Sequence, residues 1–251
     1  MKILIDDLVI NYRLNKAPKI VLLLHGWGDT GNGLKNLEDG LMEAGYGVLS
    51  LDLPGFGLSD NPKSPWGLGD YAAFVGSFLK KVKVNPYAVI GHSNGGAIAI
   101  KAYSTGYLKS PKLVLIAAAG IRTNYNLRNK TFRLIAKFGK ILTFVLPRGY
   151  RDKLKRKFYD KIGSDLLIKE DLIETFKKVV SEDLRVTAKS VAAKTLMIYG
   201  DKDMATPVSY GEIYKQSISG SKLVVLPGVG HFIHLEVPEK LIKEVVGFLN
   251  V

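Results

Sequence analysis

Residues 87–96 have the sequence YAVIGHSNGG, which joins a short apolar run to a Gly-X-Ser-X-Gly turn. The apolar run is typical of a buried strand, and the small and apolar residues 97–102 that follow are typical of the start of a helix. In this context the turn forces the serine into a strained backbone conformation and exposes its hydroxyl beside a helix N-terminus. Ser93 is therefore predicted to be a nucleophile, with Gly91 and Gly95 beside it because side chains there would collide across the turn. An ordinary glycine-rich strand-to-helix turn is the alternative.

The overall composition limits the class of protein. The chain has 251 residues, of which 47% are hydrophobic, and this suits one α/β domain with an insertion. It contains no cysteine, which excludes disulfides, thiolate metal sites and a cysteine nucleophile. Asp6 and Asp7 interrupt the first apolar run, so no signal peptide is expected, and no apolar run reaches the ~18 residues that span a membrane. The net charge of +13 favours acidic partners or surfaces.

A second glycine-rich loop follows the apolar run at residues 19–24, which is typical of a strand buried on both faces of a parallel sheet. The loop has the sequence HGWG at residues 25–28. Such a loop can direct backbone N–H groups at a developing negative charge, so the N–H groups of Trp27 and Asn94 are predicted to form an oxyanion hole. A plain turn is the alternative. His25 is expected to be a structural hydrogen-bonding residue rather than a catalyst.

The remaining pattern predicts an alternating α/β core. Residues 2–13 alternate apolar and polar around Asp6-Asp7, as in a β-hairpin. Further strands are predicted at 46–51, 112–117, 194–199 and 222–226, and helices at 34–44, 71–82, 209–217 and 238–249. The proline- and glycine-rich segment at residues 52–60 is expected to shape the rim of the site.

Residues 121–189 differ from the rest of the chain because they have no clear buried strand and a large basic excess. They contain 18 Lys and Arg residues but 8 Asp and Glu residues, which supplies +10 of the net charge of +13. The segment is predicted to be a helical cap inserted into a core formed by residues 1–120 and 190–251. Within it, residues 131–146 have apolar side chains at helical spacing, with Arg133, Lys137 and Lys140 on another face. This helix can cover the core, or bind an anionic lipid surface or an acidic carrier protein, or do both.

Three candidate catalytic residues lie just past predicted strands, in the order Ser93, Asp203 and His231. The carboxyl ends of parallel strands share one edge of a sheet, so their loops can converge. A serine hydroxyl needs a base to take its proton, imidazole suits this role at neutral pH, and a carboxylate fixes the imidazole tautomer. His231 is preferred to His234 because it lies in a glycine-flanked loop directly after a strand. Asp203 is preferred to Asp201, which is closer to the strand end and is expected to support the turn.

Together these motifs resemble those of the α/β-hydrolase superfamily over nearly the whole chain. The matching segments are HGWG at 25–28, DLPGFGLS at 52–59, GHSNGG at 91–96, GDKD at 200–203 and GHF at 230–232. The resemblance implies an α/β fold with an eight-stranded, mostly parallel sheet flanked by helices, and a Ser-Asp-His triad. It supports Asp203 as the acid, His231 as the base and Trp27 as an oxyanion donor. The cap resembles that of small bacterial carboxylesterase-like members, including pimeloyl-acyl-carrier methyl esterases.

The predicted activity is hydrolysis of a small-molecule carboxylic ester through an acyl-enzyme, with no metal and no organic cofactor. The same triad can instead act on a carbon–carbon bond, a lactone, an amide or an ester bound to a carrier protein. A non-catalytic ligand receptor on the same fold is the alternative from another class. The location is expected to be cytoplasmic, and the chain carries no motif for nucleic-acid recognition. The fold alone does not fix the substrate.

Overall fold

An eight-stranded sheet forms the centre of the fold. The computed structural model describes residues 1–122 and 170–251. The strands are β1 (Lys2–Ile5), β2 (Leu8–Asn15), β3 (Ile20–Leu24), β4 (Gly47–Leu51), β5 (Ala88–His92), β6 (Lys112–Ile116), β7 (Lys194–Gly200) and β8 (Lys222–Leu226). Their order across the sheet is β1-β2-β4-β3-β5-β6-β7-β8. The pairs β1–β2 and β2–β4 are antiparallel and every other neighbouring pair is parallel, which confirms the predicted mostly parallel sheet.

The strands form where the sequence has apolar runs or alternation. Strand β3 sends Val21 and Leu23 into one buried cluster and Leu22 and Leu24 into the other, so it is covered on both faces. The hairpin at the antiparallel edge turns through Asp6-Asp7, and the positive φ angles of these two residues, 44° and 65°, are those of a turn that matches the twist of the strands. The predicted hairpin over residues 2–13 is confirmed.

Helices cover both faces of the sheet. They are α1 (Lys35–Glu43), α2 (Leu68–Val82), α3 (Asn94–Ser104), α4 (Ile173–Ser181), α5 (Val208–Ser217), α6 (Ile233–Glu236) and α7 (Pro238–Asn250). Side chains of α2 and α3 pack in one buried cluster, and those of α1 and α7 pack in the other. In sheets of this kind, a functional site forms in the loops at the carboxyl edge of the parallel strands.

Two helical features differ from the sequence prediction. Helix α2 begins at Leu68, three residues before the predicted start, and the side chain of Asp70 accepts a hydrogen bond from the backbone N–H of Gly67 at 2.7 Å. That bond satisfies a donor at the helix N-terminus and extends the first turn. Helix α6 was not predicted, since a single turn has too few residues to show a helical period.

Only the ends of the predicted cap at residues 121–189 belong to the described part of the chain. Residues 170–189 include α4 and short 3₁₀ turns at Glu170–Leu172 and Thr187–Ser190. The predicted amphipathic helix at 131–146 lies outside the described residues, so the cap stays a prediction. In residues 1–122 and 170–251 no helix is both long and apolar enough to cross a bilayer.

Candidate active site

Ser93 lies at a sharp turn between β5 and α3. Its φ of 49° and ψ of −113° are strained for a residue with a side chain. Surrounding bonds hold this geometry, because the backbone N–H of Ser93 donates to the carbonyl of Ile116 at 2.9 Å. The carbonyl of Ser93 in turn accepts bonds from the N–H groups of Gly96, Ala97 and Ala119. The turn therefore has the strand–turn–helix geometry that the sequence predicts.

The glycines beside Ser93 are required by close backbone contacts. A Cβ atom at Gly91 would lie 2.5 Å from the carbonyl oxygen of Gly95, which is the predicted collision across the turn. A Cβ atom at Gly95 would instead meet the carbonyl oxygen of Leu24 at 2.2 Å, on the neighbouring strand. Gly95 is thus needed because α3 starts against the end of β3. The sequence suggested a different reason, a collision across the turn itself.

His231 and Asp203 come together in the loops after β8 and β7. The Nδ1 atom of His231 lies 2.7 Å from Oδ2 of Asp203, and both residues are buried. The other oxygen of Asp203 accepts bonds from the N–H groups of Ala205 at 2.8 Å and Thr206 at 2.9 Å. Burial raises the pKa of Asp203, but the hydrogen bonds from His231 and Thr206 outweigh it and leave the pKa below its usual value. Asp203 is therefore an anion that orients the imidazole.

The turn at Ser93 is joined to the His231 loop through His92. The Nε2 atom of His92 donates to the backbone carbonyl of His231 at 3.1 Å, and the two rings lie 5.0 Å apart between centroids. Within residues 1–122 and 170–251, no hydrogen bond joins the Ser93 hydroxyl to the His231 ring. In unliganded enzymes such bonds are often long and shorten when substrate binds.

Two backbone N–H groups near Ser93 have no acceptor in the described part of the chain, those of Trp27 and Asn94. Asn94 is the first residue of α3, so its N–H lies at the positive end of the helix dipole. The indole of Trp27 packs against Phe56 at 5.0 Å and against Phe176 at 5.1 Å between ring centroids. The two predicted oxyanion donors are thus unpaired, and an aromatic wall adjoins one of them.

The other residues weighed in the sequence have structural contacts. Nε2 of His25 accepts the N–H of Leu53 at 2.9 Å, and its Nδ1 donates to the carbonyl of Gly26 at 2.7 Å. His25 therefore ties the loop to the segment after β4, as predicted. Asp201 accepts the N–H of Gly228 at 2.7 Å and so supports the turn beside the His231 loop. His234 is buried in the short helix α6.

Two residues that hold this site, Thr206 and Glu236, were not predicted from the sequence. The hydroxyl of Thr206 lies 2.7 Å from Oδ2 of Asp203 and 3.1 Å from Nδ1 of His231. The carboxylate of Glu236 accepts the N–H of Gly230 at 2.7 Å and the N–H of Phe232 at 3.2 Å. These are the backbone groups on either side of His231. A hydroxyl residue three positions after the candidate acid was the available signal for Thr206.

Comparisons with known proteins agree with this architecture. A model of the alpha/beta hydrolase family matches residues 21–244. A 2-hydroxy-6-oxononadienedioate/2-hydroxy-6-oxononatrienedioate hydrolase from Klebsiella pneumoniae is 26% identical over 257 residues, which cover 93% of this chain and 88% of that protein. The crystal structure of a bacterial membrane phospholipase A is 25% identical with a TM-score of 0.80, covering 100% of this chain and 85% of the other. An esterase from Exiguobacterium antarcticum is 22% identical with a TM-score of 0.79, covering 100% and 99% of the two chains. The chain therefore belongs to the alpha/beta hydrolase family.

Proposed function

We propose that the protein is a serine hydrolase that cleaves carboxylic esters, with Ser93 as nucleophile, His231 as base and Asp203 as the orienting acid. The observation that carries the proposal is the 2.7 Å contact between His231 and Asp203, together with the strained turn at Ser93, which His92 joins to the His231 loop. A serine nucleophile, an imidazole base and a carboxylate that orients the imidazole are the groups that carry out acyl transfer in serine hydrolases.

The proposed mechanism follows from the tautomer of His231. Its Nδ1–H donates to Asp203, which leaves Nε2 as the atom that accepts the proton of Ser93. The serine oxygen attacks the ester carbonyl, and the unpaired N–H groups of Trp27 and Asn94 stabilise the oxyanion. The imidazolium then protonates the leaving alcohol. Water, activated by the same imidazole, releases the acid from Ser93.

The surroundings of Trp27 favour an apolar acyl or alkyl group. Trp27, Phe56 and Phe176 form a continuous aromatic wall beside the proposed oxyanion hole. Leu172 packs against Gly55, the residue before Phe56, since a Cβ atom at Gly55 would meet its side chain at 3.0 Å. The likeness to a phospholipase A, whose substrates are esters by its name, further supports an ester substrate.

Hydrolysis of a carbon–carbon bond is the second candidate. The observation that favours it is the 26% identity to the Klebsiella pneumoniae hydrolase over almost the full chain. The triad alone does not distinguish ester hydrolysis from carbon–carbon hydrolysis, because the same imidazole can protonate the leaving group of either reaction.

Turnover of a p-nitrophenyl ester series from acetyl to dodecanoyl tests the proposal. We expect turnover with an optimum among the longer chains that the aromatic wall can contact, and its loss in Ser93→Ala. Turnover of a vinylogous diketone without turnover of any ester would support the second candidate instead. Ester turnover that persists in a folded Ser93→Ala protein would contradict the role of Ser93.

The predicted cap over residues 121–189 extends this proposal to partners. Its basic excess suits an acyl group presented by an acidic carrier protein or by an anionic lipid surface. Salt should then reduce the turnover of carrier-bound esters more than that of free esters, and an equal response would contradict such docking. A cytoplasmic location, suggested by the lack of cysteine, belongs to the same proposal and is tested by fractionation of cells.

A further inference from the structure

A cluster of polar side chains lies next to the proposed triad without belonging to it. It consists of Asp29, from the loop after β3, His92, at the end of β5, and His234, in α6. One ligand atom from each residue lies within 4.8 Å of the other two. The two histidine rings are 4.5 Å apart between centroids, and their residues are only 2% and 1% exposed.

Within residues 1–122 and 170–251, three of the four imidazole nitrogens of this cluster lack a hydrogen-bond partner. Nε2 of His92 donates to the carbonyl of His231, so its Nδ1 carries a lone pair, and that atom is buried and unpaired. Both ring nitrogens of His234 are also buried and unpaired. Nε2 of His234 lies 3.9 Å from Oδ2 of Asp29, which is too far for a hydrogen bond. Buried nitrogens without partners are rare, and the cluster therefore requires an explanation.

Two glycines pack directly against side chains of this cluster. A Cβ atom at Gly26 would lie 2.9 Å from Nδ1 of His92, so only a glycine allows the backbone to approach this nitrogen so closely. A Cβ atom at Gly33 would lie 2.0 Å from Oδ1 of Asp29, so the carboxylate fits only beside a glycine. Oδ1 of Asp29 accepts the N–H of Thr30 at 2.8 Å, which leaves Oδ2 on the side of His234.

We propose that Asp29, His92 and His234 bind a divalent transition metal of the zinc type. Two imidazole nitrogens and one carboxylate oxygen form a ligand set that zinc prefers, and the partly exposed edge at Asp29 leaves a fourth position for water. Ligand atoms around tetrahedral zinc are roughly 3.3 Å apart, given bonds of about 2.0–2.2 Å. The three ligand atoms lie within 4.8 Å of one another, so the side chains must approach by up to about 1.5 Å to bind the ion.

The ion would take no part in the proposed reaction. It would join the loop that carries Trp27, the turn that carries Ser93 and the loop that carries His231. Binding to the folded chain alone would therefore stabilise it against unfolding. This site goes beyond the sequence analysis, which expected no metal, because its ligands come from three distant segments.

Calorimetric titration of the chelator-treated full chain with ZnCl₂ at pH 7.5 tests the proposal. We expect one Zn²⁺ per chain and a higher melting temperature when zinc is present. Asp29→Asn should weaken binding by more than about 10-fold and His234→Gln by at least as much. Asp29 is partly exposed, so its substitution leaves a folded protein to measure even where His234→Gln does not.

Two control variants distinguish this site from its neighbours. Asp201→Asn removes a carboxylate near the His231 loop and should leave zinc affinity unchanged, and His231→Gln should also retain binding. The chain has four histidines, all within the described residues, and both nitrogens of His25 are hydrogen-bonded. The absence of stoichiometric zinc binding would overturn the proposal. So would binding that is lost in His231→Gln but kept in Asp29→Asn.

Discussion

Ser93 concentrates backbone strain at the point where the proposed chemistry occurs. A residue with a side chain at φ 49° costs about 1–3 kcal/mol, and the bonds that Ser93 makes to Ile116 and to the start of α3 offset this cost. The same geometry leaves the N–H of Asn94 without an acceptor among residues 1–122 and 170–251, because it lies in the first turn of α3. One turn thus presents both the hydroxyl and an oxyanion donor.

Substitution of the proposed acid tests the orientation of His231. In Asp203→Asn the amide can present a donor to Nδ1, which favours the wrong imidazole tautomer. We expect kcat/KM for a p-nitrophenyl ester to fall about 10³- to 10⁴-fold, as for other triads. Asp201→Asn is the matched control, because Asp201 contacts Gly228 instead of His231. Its kcat/KM should stay within a few-fold of the parent's value. Comparable activity in the two variants would refute the role of Asp203.

The candidate triad could be identified from sequence because each member follows a recognisable strand. Ser93, Asp203 and His231 each follow an apolar run and lie within three residues of a glycine. The residues that fix their geometry gave weaker signals. Glu236 lies in a helix too short to recognise. The cluster of Asp29, His92 and His234 joins the loop after β3, the end of β5 and helix α6. Such proximity depends on strand order, which apolar patterns do not specify.

The short helix α6 holds the His231 loop through one side chain. Glu236 bonds the N–H groups of Gly230 and Phe232, on both sides of His231. Glu236→Gln keeps one acceptor and loses the charge, and hydrogen bonds to charged groups contribute about 1.5–3 kcal/mol. We expect kcat to fall about 10-fold with KM little changed, because the loop positions the base without contacting substrate. Steady-state kinetics measures this, with Glu239→Gln, in the first turn of α7, as the matched control. An unchanged kcat would show that the loop does not need this carboxylate.

The start of α3 against β3 makes Gly95 far less tolerant of substitution than a glycine elsewhere in a helix. In Gly95→Ala the new Cβ would lie 2.2 Å from the carbonyl oxygen of Leu24, so β3 and α3 must separate. We expect a loss of at least about 3 kcal/mol in the free energy of unfolding, or an insoluble protein. Gly247→Ala is the matched control in α7, where nothing lies within 4 Å of the new atom. It should stabilise the protein by up to about 1 kcal/mol. Urea unfolding compares the two, and equal stabilities would contradict the packing described.

The elements were predictable to the extent that their apolar residues have a regular period. Strands β3, β5 and β6 have continuous apolar runs, and α1 and α7 were placed to within a residue or two. The start of α2 was missed because its N-terminal bond from Gly67 to Asp70 is local and carries no period. The reason for Gly95 was missed because it depends on a contact with Leu24, which lies 71 residues earlier in the sequence.

At the scale of the whole molecule, buried carboxylates link the stability of the fold to pH. Burial raises the pKa of Asp52, but hydrogen bonds from Leu58, Asn11 and Gly31 outweigh it and lower the pKa below 3.8. The pKa of Asp203 is lowered in the same way. A carboxylate with a lowered folded-state pKa stabilises the protein above its unfolded-state value, and this contribution is lost as pH falls through the folded-state value.

We therefore expect the free energy of unfolding to decline as pH falls below about 4. Urea unfolding at pH 7, 5, 4 and 3 measures this. Asp52→Asn should be less stable than the parent at pH 7, and the difference should shrink at pH 3, where the parent has lost the same charge. A difference that is constant with pH would show that the Asp52 charge does not stabilise the fold.

The sheet as a whole brings loops from distant parts of the chain to one edge. Strand β5 carries Ser93, β7 leads to Asp203 and β8 leads to His231, and all three strands run parallel. The structure places His231 against Asp203 and leaves Ser93 on the adjoining turn. The central claim is that this arrangement makes the Ser93 hydroxyl a nucleophile.

Reaction of the purified protein with a fluorophosphonate probe, followed by intact-mass and peptide analysis, tests that claim most directly. We predict a single phosphonyl adduct on Ser93 at pH 7.5, and no adduct in Ser93→Ala or after the protein is unfolded. Slower labelling in His231→Gln would tie the reactivity to the imidazole. A folded protein that remains unlabelled, or is labelled at another residue, would contradict the account.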